Sequence, residues 1–230
     1  MATQAQVEQF RRDAQSLVRL ASNDLAALWE SLDKRDPLYA RQVLEEFFPD
    51  LVAQYGEYAA TLAAEFYDDV TPASVGRAVL AATVPVSQAQ ASARWAIGPL
   101  FSGEPDAPAS LRNLSAATQR LVMTSARETV DTSSRRNRTR YARVPSGATT
   151  CAFCLMTASR GAVYGSARAA GDGRKYHDEC DCVPTPMSGP EDFPEGYDPD
   201  ELYEQYAAVH EVGATGKETT AAMRKAYGIS

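Results

Sequence analysis

Residues 4–34 have the sequence QAQVEQFRRDAQSLVRLASNDLAALWESLDK, and this stretch decides the fold class. Its apolar residues recur three and four positions apart, which is the spacing of one face of an α-helix. The stripe consists of Val7, Phe10, Ala14, Leu17, Ala21, Leu25, Leu28 and Leu32. Thr3 followed by Gln6 resembles a capping box at the start. The sequence therefore predicts one long amphipathic helix that must bury its stripe against a neighbour.

Further helical segments follow and supply that neighbour. Asp36–Pro37 predicts an N-cap and a proline at the first helical position, starting a helix that we expect to be interrupted at Pro49 and to resume through Phe66. A looser, proline-containing segment spans 71–108, with a short helix near 87–97. Residues 109–131 contain no glycine or proline and predict another helix. We expect residues 1–133 to form an antiparallel helical domain.

The composition of the 230-residue chain excludes several classes of protein. Apolar residues make up 44%, which is globular rather than disordered. The net charge of −7 argues against a general nucleic-acid coat, because phosphate binding depends on Lys and Arg. The chain has no apolar run of membrane-spanning length, and its polar N-terminus lacks the apolar region of a signal peptide. We expect no membrane partner, and synthesis in a reducing cytosol.

The character of the chain changes near residue 134. Residues 134–186 combine a basic leader with a glycine-rich, cysteine-containing segment that favours short β-structure, and we expect a small α+β module there. Residues 187–230 predict an acidic linker followed by two short helices. The expected fold is mainly α, with a helical N-terminal domain, a zinc-knuckle-like α+β module and a short helical tail.

The four cysteines and one histidine of the module have the spacing of a metal site. The pattern is C-x2-C-x22-H-x2-C-x-C, formed by Cys151, Cys154, His177, Cys180 and Cys182. Two short-spaced pairs can face one ion, and four protein ligands leave a structural zinc ion no open position. Four of the five candidates suffice, and we expect Cys180 or Cys182 to stand apart because they are only two residues apart. A disulfide or unliganded buried thiols are the alternatives.

The leader of the module concentrates positive charge. It holds five arginines and no acidic residue within 134–143, namely Arg135, Arg136, Arg138, Arg140 and Arg143. One interpretation is that these side chains bind nucleic-acid phosphates. The other is that they pair with the acidic stretch 178–204, from which Lys and Arg are absent.

The sequence offers little support for catalysis. His177 is needed by the metal interpretation, and His210 lies on a predicted tail helix among acidic residues. A dyad of Cys151 or Cys154 with His177 is conceivable, but the density of cysteines favours a metal site. We therefore assign no catalytic residue and lean against an enzyme.

The segment RYARVPSGATTCAFCLMTASRGAVYGS and the later YHDECDCVPTP, following a helical first half, resemble the Mu protein F-like minor head proteins of tailed phages, in the version found in phages of actinobacteria. The shared motif comprises C-x2-C, then R-G, then H-x2-C-x-C before a proline. These elements map onto Cys151, Cys154, Arg160–Gly161, His177, Cys180, Cys182 and Pro184. The residues after 187 lie outside the resemblance.

The resemblance implies a minor capsid protein of the virion that takes part in head morphogenesis. Its expected partners are the portal protein or the major capsid protein, with packaged DNA as a further candidate. Relatives of this type are often labelled capsid maturation proteases, which makes processing of capsid or scaffold protein the alternative function. A zinc-dependent nucleic-acid-binding protein is the third.

Overall fold

The structure is a computed structural model that describes residues 2–146, 150–165, 176, 180, 182–189 and 192–229. The mainly helical fold with a small α+β part is confirmed. Helix α1 spans Gln4–Ser31 and begins with the predicted capping box, in which Thr3 Oγ1 accepts from the Gln6 N–H at 3.2 Å and Gln6 Oε1 accepts from the Thr3 N–H at 2.9 Å. Leu17 and Leu28 of the predicted stripe are only partly buried, and Trp29 is buried instead.

Helix α2 spans Pro37–Val70, and Asp36 caps it by accepting a hydrogen bond from the Tyr39 N–H at 3.0 Å. The predicted interruption at Pro49 is wrong, because the helix continues through that residue. Pro49 is buried, so packing of its ring offsets the backbone hydrogen bond that proline cannot donate.

Helix α3 (Val86–Ala96), a 3-10 turn (Gly98–Phe101) and helix α4 (Ala107–Arg136) complete the helical layer. Helix α2 packs against α1, α3 and α4, and α4 also contacts α1. Helix α4 continues beyond the predicted end at residue 131, so Arg135 and Arg136 lie in its last turn rather than in a separate leader.

Two short strands form the sheet that carries the module. Strand β1 (Arg140–Val144) pairs antiparallel with β2 (Val183–Met187), with Arg143 opposite Pro184 and Tyr141 opposite Pro186. Tyr141 exchanges both backbone hydrogen bonds with Tyr164 on the other side of β1, at 2.7 and 3.2 Å. Tyr141 therefore needs no backbone hydrogen bond from Pro186. The two prolines of β2, Pro184 and Pro186, lie at alternate positions, where no backbone N–H has to donate to β1.

Helix α5 (Ala152–Ala158) follows β1, and the tail helices α6 (Pro199–Ala207) and α7 (Gly216–Tyr227) both pack against α5. None of the helices in the described residues combines the length and apolar character that a membrane span needs.

The buried side chains form two large apolar clusters. One is formed by α1 to α4 and the connections between them, and it includes Leu25, Leu44, Phe48 and Leu114. The other joins α1, α2 and α4 to the strands and to Tyr197 of the tail. The predicted division at residues 133 and 186 stays a prediction, but the second cluster crosses both boundaries.

Candidate metal centre

Three cysteine sulfurs lie together between α4, α5 and the sheet. The Sγ of Cys154 is 3.3 Å from that of Cys180 and 3.4 Å from that of Cys182, and the last two are 3.3 Å apart. All three residues are buried. We expected Cys180 or Cys182 to stand apart, but both belong to the cluster. No disulfide joins any of the four cysteines, all of which lie in the described residues.

Two separate elements bring the sulfurs together. Cys154 lies in the first turn of α5, and Cys151 caps that helix by accepting a hydrogen bond from the Cys154 N–H at 3.3 Å. Cys182 immediately precedes β2, and Cys180 comes two residues earlier. The antiparallel pairing of β1 with β2 thus brings Cys180 and Cys182 close to Cys154.

The three sulfurs suit a soft metal ion such as zinc. In a tetrahedral site with Zn–S bonds of about 2.3 Å, neighbouring sulfurs are roughly 3.8 Å apart. The observed separations of 3.3–3.4 Å are slightly shorter, so a small outward movement would admit the ion. Cys151 lies beside the cluster, where it also hydrogen-bonds the Cys154 thiol, and is one candidate for the fourth ligand. His177, the other candidate, lies outside the described residues.

Arg143 supplies positive charge directly to the cluster. Its Nη2 donates to Cys182 Sγ at 3.0 Å and to Cys180 Sγ at 3.4 Å, and its Nε donates to Cys182 Sγ at 3.3 Å. The residue is fully buried. A zinc ion with three or four thiolates carries net negative charge, which this guanidinium would offset. The assignment of Arg143 to nucleic-acid phosphates is therefore corrected, because its side chain has no path to an external phosphate.

A second arginine and a tyrosine complete the surroundings. Arg127 of α4 donates from Nη2 to the carbonyl oxygen of Cys180 at 2.7 Å. The guanidinium carbons of Arg127 and Arg143 lie 4.0 and 3.9 Å from the centre of the Tyr176 ring. Burial raises the pKa of Tyr176, so its ring stays neutral between the two cations.

The surroundings distribute negative charge unequally over the sulfurs. Hydrogen bonds from the Cys154 and Cys182 thiols, with the positive charges of Arg127 and Arg143, lower the pKa of Cys180 although burial opposes the change. Burial raises the pKa of Cys182 to about 11. Hydrogen bonds with Cys151 and Cys180, together with burial, raise the pKa of Cys154.

The other arginines of the leader lie on the surface. Arg135, Arg136, Arg138 and Arg140 are exposed, and Arg135 pairs with Asp131 of its own helix at 2.9 Å. The structure therefore places four of the five predicted phosphate-binding residues at the junction of α4 and β1, and the fifth, Arg143, against the cysteine cluster.

Sequence reasoning missed the contribution of Arg127 and the stacking of Tyr176 between two guanidinium groups. A signal was present for Arg127, since it lies beside Ala126 and Val130 on the buried face of α4, where a charge needs a partner. No spacing rule would have placed Tyr176 between two arginines.

A protein-family model described as VG15 protein matches residues 1–209. The match includes helices α1 to α6 and all residues of the cysteine cluster. No curated protein and no solved structure matches the chain.

Proposed function

We propose that this chain, which belongs to the phage-associated VG15 protein family, is a minor head protein that associates with the portal or the inner capsid of a tailed phage during head assembly. The observation that carries the proposal is the family match over residues 1–209, joined to the resemblance of the cysteine-containing segment to Mu protein F-like minor head proteins. In this proposal the protein is made in the host cytoplasm and becomes part of the virion.

The proposed role of the metal is structural. Cys154, Cys180 and Cys182 would supply three thiolates, and Cys151 or His177 would complete the set. The ion would then tie the start of α5 to the start of β2. Such a tie suits a small module, because the free energy of metal binding becomes free energy of folding.

The test is co-expression with the portal and the major capsid protein of the same phage. We expect the chain to co-purify with portal and to be detected by mass spectrometry in purified phage heads. A Cys154→Ser variant should lose the association if the folded module is needed, whereas an Arg12→Gln variant on the exposed side of α1 should keep it. Absence from purified heads together with no portal association would contradict the proposal.

The same co-expression separates the protease alternative. A shortened capsid or scaffold protein that appears only with this chain would favour capsid processing. An unchanged capsid protein in properly assembled heads would favour the structural role.

Contact with packaged DNA is a second candidate because Arg136, Arg138 and Arg140 are exposed close together in sequence. Binding through them should weaken steeply as salt rises, since each phosphate contact releases counterions. An Arg138→Gln/Arg140→Gln variant should bind a DNA duplex less tightly and with a shallower salt dependence. If that variant binds as the parent does, these arginines are not a DNA site.

A further inference from the structure

A cavity of about 290 Å³ opens between α1, α4 and the start of β2. Its walls are largely apolar and include Phe10, Val18, Met123 and Val183. Three arginines line it, namely Arg11, Arg19 and Arg127, and no carboxylate side chain of the described residues does. Cys180 and Cys182 of the cysteine cluster also line it. The cavity therefore combines an apolar interior with the positive charge of three arginines, one of which also contacts the cysteine cluster.

The three arginines differ in how their charge is satisfied. Arg11 pairs with Glu8 at 2.9 Å, and Arg19 donates to Ser16 Oγ at 2.8 Å. Arg127 is only 5% exposed, and one of its nitrogens donates to the carbonyl of Cys180. Its Nε and Nη1 are buried and find no acceptor within the described part of the chain.

Buried donors of a charged group are costly when they lack an acceptor, so a guanidinium in this state favours an anionic partner. A carboxylate matches its planar donors and can accept two of them. The apolar walls disfavour a strongly hydrated polyanion, because its remaining oxygens would lose water without gaining partners. The cavity volume of about 290 Å³ falls just below the range of typical ligand cavities, roughly 300–1,000 Å³, which limits the ligand to a small body.

We infer that this cavity binds a single carboxylate carried on an apolar body, with Arg127 as the residue that pairs with it. The body lies against Phe10, Val18 and Met123, and the carboxylate accepts from Nε or Nη1 of Arg127. Two sources share this chemistry: the apolar C-terminal residues of a protein and a free aliphatic acid. The inference does not rest on the proposed function.

The test measures binding to the full chain by isothermal titration and by NMR. The probes are N-acetyl-Ala-Leu with a free carboxylate, the same peptide as its C-terminal amide, and octanoate. We expect the acid to bind at least about 10-fold more tightly than the amide, because the amide cannot pair with a guanidinium as an ion. If octanoate binds more tightly than the peptide acid, the ligand is a free aliphatic acid. If the peptide acid binds more tightly, the ligand is the C-terminus of a protein.

Three variants locate the binding. Arg127→Gln should abolish the preference for the acid, but it also removes a contact with Cys180. Val18→Trp is the second variant, since it reduces the cavity volume from the α1 side while Arg127 itself is unchanged, and it should abolish binding of every probe. Arg12→Gln is the control, because it removes one charge from the exposed side of α1, the helix that also carries Val18. It should leave the binding of every probe unchanged.

Equal binding of acid and amide, or no binding of either acid, overturns the inference. So does acid binding that survives Val18→Trp. Binding that appears only after Asp178, Glu179 and Asp181 are changed to their amides would also overturn it. In that case a carboxylate of this chain, rather than a ligand, is the partner of Arg127.

Discussion

The guanidinium of Arg143 donates to the sulfur of Cys182 from two nitrogens, Nη2 at 3.0 Å and Nε at 3.3 Å. The sheet register explains the contact, because Arg143 lies opposite Pro184, two residues beyond Cys182. A charge that the sequence places in a basic leader therefore points into the cysteine cluster.

Removing this charge should be costly. We expect Arg143→Met to destabilise the protein by about 3–5 kcal/mol, because the anionic sulfur cluster would stay buried without its cation. Arg140→Met, on the exposed end of the same strand, should change the stability by less than about 0.5 kcal/mol. Denaturant unfolding of both variants checks this, and equal stabilities would contradict the pairing.

The metal centre should contain one zinc ion per chain. Cys154→Ser and Cys182→Ser should each lower the metal content, because a serine hydroxyl is a poor zinc ligand at neutral pH. Chelation of the parent protein should loosen the module while leaving α1 to α4 helical. Elemental analysis of freshly purified, reduced protein measures the metal, and a metal-free parent with normal stability would refute the site.

The helical region should retain structure without the module. A fragment of residues 1–133 keeps the whole cluster around Leu44 and Leu114 but loses part of the cluster around Val7 and Val130. We expect helical circular dichroism, with hydrogen-exchange protection strong at the first cluster and weak at the second. A coil-like spectrum would show that the helices need the module.

The contact between α2 and α4 at Gly56 should be sensitive to one methyl group. A Cβ added at Gly56 would lie 2.8 Å from the Oγ of Ser125, so we expect Gly56→Ala to cost about 1–3 kcal/mol despite the better helix propensity of alanine.

The added Ser125→Ala change should recover most of that loss, since the Oγ has no hydrogen-bond partner within the described residues. Gly103→Ala, with open space around it, is the matched control. Additive effects of Gly56→Ala and Ser125→Ala in thermal unfolding would argue against the clash.

Stability at high pH should depend on Tyr55. Its hydroxyl donates to Asp24 Oδ2 at 2.5 Å, and this hydrogen bond, with burial, raises the pKa of Tyr55 to about 12. The raised pKa means that the folded protein favours the neutral phenol of Tyr55 over its charged form. The contribution of Tyr55 to the free energy of unfolding is therefore fully present below its ordinary pKa of 10.0, and it is lost as pH rises through the folded-state pKa of about 12.

Tyr55→Phe removes the titrating group, so the difference in unfolding free energy between parent and variant should shrink between those two pH values. Tyr39→Phe, at a half-exposed position, is the control. A difference that stays constant with pH would contradict the hydrogen bond.

The sequence by itself determined the long helices of the first half of the chain and the starts of α1 and α2. The caps at Thr3 and Asp36 depend on neighbours within three residues, and the stripe from Val7 to Leu32 depends on one local period. Such features are properties of a short segment, so they can be recognised before any packing is known. The same holds for the metal-ligand spacing of Cys151 and Cys154.

Only the tertiary structure decided which charges belong to the interior. Arg127 and Arg143 are 16 residues apart, and each meets Cys180 or Cys182 only because α4, β1 and β2 pack together. The continuation of α2 through Pro49 could not be predicted from local sequence either, because burial of the proline ring offsets the loss of a helical hydrogen bond. The energies of buried charges and packed side chains depend on distant neighbours, and a sequence window contains none of them.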